Sequence, residues 1–294
     1  MRDAVMEAES VSAGDDHARL AKSALAESAD FALESVECDC VTTGWSAPEA
    51  ADRYAIVFVR RGCFRRRVNG IESFLDPTTV YFERPGDEQR IEHPAGGDSC
   101  MVLYLSEPML SQIWGESGLP DEPRTTDATA DLRQRLLLAA LLRGDEADLE
   151  EAVIDMAAGV LEKSAPKRVA SRRPATALAR RRLVNQAREA VFANPHANTI
   201  ELARGIAASP HHLSRVFRAE TGQTISRYRN RLRVRLALER LAQGEPCLAR
   251  LAADLGFADQ GHLARVIRRE LDMTPSLLRG SLAPREIAPD APDP

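Results

Sequence analysis

The hydrophobic period of the chain changes twice, and each change marks a different kind of structure. Between Phe31 and Leu105 apolar residues come in short runs and alternations, broken by Pro, Gly and Asp. Tyr54-Ala-Ile-Val-Phe-Val59 is a continuous apolar run, the pattern of a strand covered on both faces. Phe64, Arg66 and Val68 alternate with Arg65 and Arg67. Asn69-Gly70 then follows, a dipeptide that favours a tight type I′ hairpin because both positions tolerate positive φ. Residues 79–82, 90–93 and 101–105 add further short strands, and strands at this spacing predict an antiparallel barrel or sandwich.

From residue 129 the period becomes helical. Leu132, Leu136, Ala139, Ala140 and Leu142 share one face. After Arg143-Gly144-Asp145, Leu149, Val153, Met156, Ala157, Val160 and Leu161 share another, giving an amphipathic helical hairpin over 129–164. Residues 165–174 form a basic linker bounded by prolines. The polar, acidic, alanine-rich arm 1–28 and the Pro/Asp tail 283–294 predict disorder. The resulting division is a β domain over 29–128, the hairpin, the linker and a helical domain over 175–282.

Length and composition narrow the class. A chain of 294 residues has room for two cores. Its 44% apolar and 28% charged residues exclude a collagen-like or wholly disordered polymer. The longest apolar run is seven residues, 136–142, well short of the roughly 18 that cross a bilayer. With no secretory signal at the start and an odd count of five cysteines, a reducing cytoplasm is the expected compartment.

Charge separates the halves more sharply than composition does. Residues 167–285 hold 23 Lys plus Arg against 9 Asp plus Glu, while residues 1–166 hold 16 against 32. A basic segment beside an acidic one points to a domain boundary and to nucleic acid as a partner.

The basic half also repeats. Leu202-Ala203 recurs as Leu251-Ala252, and after one inserted residue His212, Leu213, Arg215-Val216, Arg218, Glu220 and Thr224 recur 50 positions later. Each copy reads as two short helices joined by a tight turn. In the first, Thr199 is the expected cap of a helix burying Ile200, Leu202, Ala203 and Ile206. Ser209-Pro210 then opens a second helix, which Gly222 ends. Leu213, Val216 and Phe217 face inward there, leaving His211, Ser214, Arg215 and Arg218 outward. In the second copy Asp259 is the cap, Leu263, Val266 and Ile267 face inward, and Gln260, His262, Arg265 and Arg268 face outward. Two helix-turn-helix units with arginine on the exposed side of the second helix suit major-groove reading.

These residues resemble the DNA-binding domain of the AraC/XylS family of bacterial transcription regulators. The resemblance rests on Ile200-Glu-Leu-Ala203, Ser209-Pro-His-His-Leu-Ser-Arg-Val-Phe-Arg218, Glu220-Thr-Gly222, Gly256-Phe-Ala-Asp259 and Thr274-Pro275. It implies an all-α domain of seven helices, with a long helix inside 223–243 joining the two units. Carried over by position, His211, Ser214, Arg215, Gln260, His262 and Arg265 are base-reading candidates, and Arg218 and Arg268 are phosphate contacts. Gly261 stands where a side chain would reach DNA, and Asp272 where glycine is usual. The β domain resembles the cupin-like sensory domain of the same family, on Ile56 to Gly62, the Asn69-Gly70 hairpin, Pro85-Gly86 and Gly96-Gly97-Asp98. The fold implied is α+β: an antiparallel β jelly-roll barrel with a helical hairpin, then a double helix-turn-helix domain.

The partners implied are operator or promoter DNA, RNA polymerase, a small-molecule effector and a second copy of the chain joined through the hairpin. Activation is the expected sign of control. No enzyme activity, cofactor, metal or membrane is implied. Clustered cupin histidines are missing, since His93 is the only histidine between His17 and His196. Nor is there a phosphate loop or nucleophile elbow. The alternative is a zinc- or thiol-based sensor or alkylation-repair regulator using Cys38, Cys40, Cys63 and Cys100. Against it, Cys38-x-Cys40 has no Cys-x-x-Cys companion.

Overall fold

A computed structural model describes residues 18–40, 44–115, 119–144, 148–162 and 174–282. The predicted linker, most of the N-terminal arm and the C-terminal tail lie outside these residues.

The β domain is one long antiparallel ribbon rolled upon itself. The hairpin of β5 (Phe64–Val68) and β6 (Ile71–Leu75) is the ribbon's closed end. Asn69 and Gly70 turn it at φ 49° and 77°, as the type I′ dipeptide requires. Outward from there, β4 (Tyr54–Arg61) pairs with β7 (Thr79–Glu83), β3 (Glu49–Ala50) with β8 (Glu88–Glu92), and β2 (Phe31–Cys40) with β9 (Asp98–Leu105). Successive pairs fall alternately in two sheets, of order β1-β2-β9-β4-β7-β10 and β3-β8-β5-β6. That alternation is the jelly roll.

Strand β4 shows why its sequence is apolar throughout. Ala55, Val57 and Val59 point between the sheets with Phe64, Leu75, Tyr81, Cys100 and Val102. Ile56 and Phe58 point the other way, into a second core with Phe82, Met101 and Leu103. Helices roof that second core: α1 (Glu107–Trp114) through Met109, Leu110 and Trp114, and α3 (Leu149–Glu162) through Val153, Met156, Ala157 and Val160. The two-residue strand β10 (Arg124–Thr125) and the helix α2 (Ala128–Leu142) complete the elements here.

One expectation needs correction. The arm is not disordered to residue 28: Ala18–Glu27 is strand β1, laid antiparallel on β2. A register shift between Ala24 and Ala26 breaks its alternation, so Leu20 stays exposed while Leu25 and Ala26 pack on the core. In the helical hairpin Leu137 joins the barrel core, Ala128 and Leu132 join the helical domain, and Leu142 is 68% exposed.

The helical domain has seven helices among the described residues. These are α4 (Pro174–Ala193), α5 (Thr199–Gly205), α6 (Pro210–Thr221), α7 (Ile225–Ala242), α8 (Leu248–Asp254), α9 (Gln260–Leu271) and α10 (Pro275–Leu282). Helix α7 serves two cores. Its first half packs with α4, α5 and α6 through Tyr228 and Leu232. Its second half packs with α8, α9, α10 and α2 through Val234, Ala237, Leu238 and Leu241.

Barrel and helices meet through buried charge. Asp76, fully buried, accepts from Arg188 Nη2 at 2.7 Å and from the Tyr228 hydroxyl at 2.6 Å through Oδ2, and from the Thr78 amide at 2.7 Å through Oδ1. Arg188 Nη1 donates to the Phe74 carbonyl at 2.9 Å. Arg135 of α2 is shared between Asp131 and Glu239 of α7, and its Nη2 donates to the Arg60 carbonyl at 3.2 Å. Arg235, also fully buried, donates to the carbonyls of Thr126 and Asp127. Buried ions persist only when paired and hydrogen-bonded, so these contacts fix one domain arrangement.

Candidate nucleic-acid interface

In the first unit every turn is pinned by a side chain. The cap of α5 is Asn198, not Thr199: its Oδ1 accepts from the amides of Ile200 at 2.9 Å and Glu201 at 3.0 Å. Glu201 returns a bond to the Asn198 amide at 2.8 Å, completing a capping box. Ile200 stands outward, 60% exposed. Ser209 Oγ accepts from the His212 amide at 3.2 Å with Pro210 at the helix start, and Gly222 ends α6 in the left-handed region at φ 71°.

Leu213, Val216 and Phe217 of α6 are buried, and the Phe217 ring lies 5.5 Å from that of Tyr228. The opposite face carries His211, Ser214, Arg215 and Arg218, all exposed. They line an open cleft of about 320 Å³ together with Thr199, Thr224 and Ser226. Thr199 and Ser226 were invisible to the repeat because they belong to the neighbouring helices. Both hydroxyls sit near helix starts, where anions are favoured.

The second unit repeats the plan with different fastenings. Glu245, almost fully buried, accepts from Arg240, from the Cys247 amide at 3.1 Å and from Arg250 at 2.7 Å. These donors, Arg240 foremost, hold its carboxyl down at about 2. In the turn, Gly256 takes φ 74°, and a Cβ there would sit 2.7 Å from Arg233 Nη2. Asp259 Oδ1 accepts from the His262 amide at 2.6 Å, capping α9.

Of the candidates in this unit, Gln260, Arg265 and Arg268 are exposed. His262 is half-buried, edge-on to Phe257 at 5.4 Å, and its Nδ1 accepts from the Ala258 amide at 3.3 Å. Its ring braces the turn. Gly261 leaves room for its neighbour, since a Cβ would lie 3.4 Å from Arg265 Nη1 and 3.1 Å from the capping Asp259. Asp272 ends the helix at φ 55°, doing glycine's work as its short polar side chain permits.

Several arginines elsewhere are held by carboxylates, as Arg240, Arg188 and Arg135 are. Among the described residues Arg215, Arg218, Arg265 and Arg268 pair with no carboxylate. Four exposed guanidinium groups on two outward helix faces can bind polyanionic phosphate and the acceptor edges of bases.

The candidate thiols divide differently from the expectation. All five cysteines are thiols. Cys63 is buried, and burial pushes it up to about 12; Cys100, buried and donating to Asp98 Oδ2 at 3.1 Å, is also raised. Cys38 and Cys40 instead come together with His93, which the ribbon delivers from the end of β8. The four thiols therefore do not converge. His93 Nε2 lies 2.6 Å from Asp98 Oδ1, a contact between the end of β8 and the start of β9.

The fold and this face define a two-domain helix-turn-helix protein with a jelly-roll barrel ahead of its DNA-binding half. A family model described as a helix-turn-helix domain matches residues 202–281. Regulatory protein SoxS of Salmonella typhimurium is 40% identical over 74 residues, covering 25% of this chain and 69% of SoxS. The HTH-type transcriptional activator RhaS of Pectobacterium carotovorum is 35% identical over 74 residues, covering 25% of this chain and 26% of RhaS. A solved structure of fatty-acid-bound ToxT from Vibrio cholerae covers 87% of this chain and 97% of that one at 11% identity and TM-score 0.35. The chain belongs to the AraC/XylS family and is a DNA-binding transcription regulator. Among the described residues no helix is long and apolar enough to cross a membrane.

Proposed function

We propose that α6 and α9 read operator bases in successive major grooves. In this reading His211, Ser214 and Arg215 read the first half of the site, and Gln260 and Arg265 the second. Arg218 and Arg268, a turn further along their helices, take phosphates. The observation that carries the reading is the exposed, carboxylate-free set of four arginines on two equivalent faces. Helix α7, about 27 Å long at 1.5 Å per residue, spaces the units on the scale of one DNA turn. The relative RhaS is an activator, which supports activation through RNA polymerase as the output. An effector would act by altering the barrel's hold on α4 and α7, changing how many half-sites the chain, alone or as a pair, engages.

The test is selection of bound sequences from random DNA with the full-length protein. Two short motifs about one helical turn apart are expected. Binding without enrichment that fades uniformly as salt rises would overturn base reading.

A further inference from the structure

Chain topology assembles a donor set that sequence spacing conceals. Cys38 and Cys40 end β2 two residues apart, so both thiols leave the same face of the strand. Their sulfurs and a ring nitrogen of His93 all lie within 4.8 Å of one another. Around a tetrahedral cation with metal–sulfur bonds of about 2.3 Å, two thiolates sit about 3.8 Å apart. The three donors therefore need to close by no more than about 1 Å to grip one.

The surroundings are those of a ligand set held in advance. His93 Nε2 lies 2.6 Å from Asp98 Oδ1, so the carboxylate fixes the orientation of the ring beside the two thiols. Asp98 itself sits opposite Cys38 in the β2–β9 ladder. Two glycines press these backbones together. A Cβ on Gly97 would fall 2.1 Å from the Cys38 carbonyl oxygen, and one on Gly62, at φ +75°, would fall 2.8 Å from Asp98 Cα. Cys38 is buried while Cys40 and His93 are half-buried, so the set opens to solvent on one side.

We propose that Cys38, Cys40 and His93 bind a thiophilic divalent cation of the zinc class, with Asp98 as positioning residue and a solvent ligand in the fourth place. Two sulfurs and an imidazole do not suit magnesium or calcium, which take oxygen. As the metal–sulfur bonds form, the two thiol protons leave to solvent. This site is independent of the DNA-reading face and goes beyond it.

The test is titration of metal-free, reduced, full-length protein with Co²⁺ alone. One equivalent is expected to give thiolate-to-cobalt charge-transfer absorption and the visible bands of four-coordinate cobalt, both displaced by one equivalent of Zn²⁺. Cys38→Ser, Cys40→Ser and His93→Gln should each abolish the signal, and Cys247→Ser should leave it intact. Asp98→Asn should keep the stoichiometry but weaken affinity by about ten- to hundredfold. No charge-transfer band in the unsubstituted protein overturns the proposal, and so does a band that survives Cys38→Ser and Cys40→Ser together or vanishes in Cys247→Ser. The unsubstituted protein reads the site directly, so a variant that fails to fold does not protect the proposal.

Discussion

Removing one hydroxyl from the domain junction should loosen the whole chain. Tyr228 is 1% exposed, and its hydroxyl donates to Asp76 Oδ2 at 2.6 Å. Tyr228→Phe keeps the ring against Phe217 and deletes only that bond. A hydrogen bond to a charged group contributes about 1.5–3 kcal/mol. Asp76 retains Arg188 and Thr78, so the loss should fall near the lower end, about 1.5–2 kcal/mol. Asp76→Ala is harsher, because it strands Arg188, Tyr228 and Thr78 at once; breaking such a buried pair costs about 3–5 kcal/mol.

The two changes should not add. Without Asp76 the tyrosine hydroxyl is a buried donor lacking its acceptor, so deleting it then costs nothing. A double-mutant cycle read by urea unfolding should therefore give a coupling of at least about 1.5 kcal/mol. A Tyr228→Phe cost below about 0.5 kcal/mol, unchanged in the Asp76→Ala background, would refute the claim that this contact holds the domains together.

Further outcomes follow from other contacts. Arg215→Ala or Arg265→Ala should cost about 1–3 kcal/mol at a selected site and relax preference at one base pair, measured by titration against single-base variants. Arg218→Ala should weaken all sequences alike and lower the salt slope by about one. Glu245 ionises at about 2 when folded, against an ordinary carboxylate near 4.5, so its stabilisation is complete above pH 4.5 and is lost as pH falls toward 2. Glu245→Gln should flatten that part of the thermal stability profile, and an unchanged profile would count against a stabilising role for its contacts with Arg240, Arg250 and the Cys247 amide. At pH 8 exposed Cys247 should react with a thiol reagent in the native protein, while Cys63 and Cys100 should react only after unfolding.

What could be read from the sequence was whatever local chemistry decides. Asn69-Gly70 announces its hairpin because few other dipeptides take two positive φ values. The run 54–59 announces a strand with two apolar faces, and Ser209-Pro210, Gly222 and Asp259 announce the ends of the recognition helices. The repeat then separated inward from outward residues on α6, and on α9 save for His262, which packs half-buried against Phe257. Failures arose where tertiary context decides. Strand β1 was hidden by its bulge, and the cap at Asn198 lost to an equally plausible Thr199 beside it. Helix α1 went unnoticed although Ser106 caps it and Pro108 follows. Asp76 meets Tyr228 from 152 residues away, and His93 meets Cys40 only once the ribbon is rolled.

Helix α2 also distinguishes the two helix-turn-helix units by where their apolar cores are completed. The first completes its core with α4 to α7, all from the basic half. The second completes its core with Ala128 and Leu132, residues that belong in sequence to the acidic half. A severed helical fragment would thus strand Arg188 and Tyr228 of the first unit without Asp76 and leave the second with an apolar seat open to water. In a chimera that exchanges sensory halves, the donor must supply a fitting α2, or the α9 reader loses its footing.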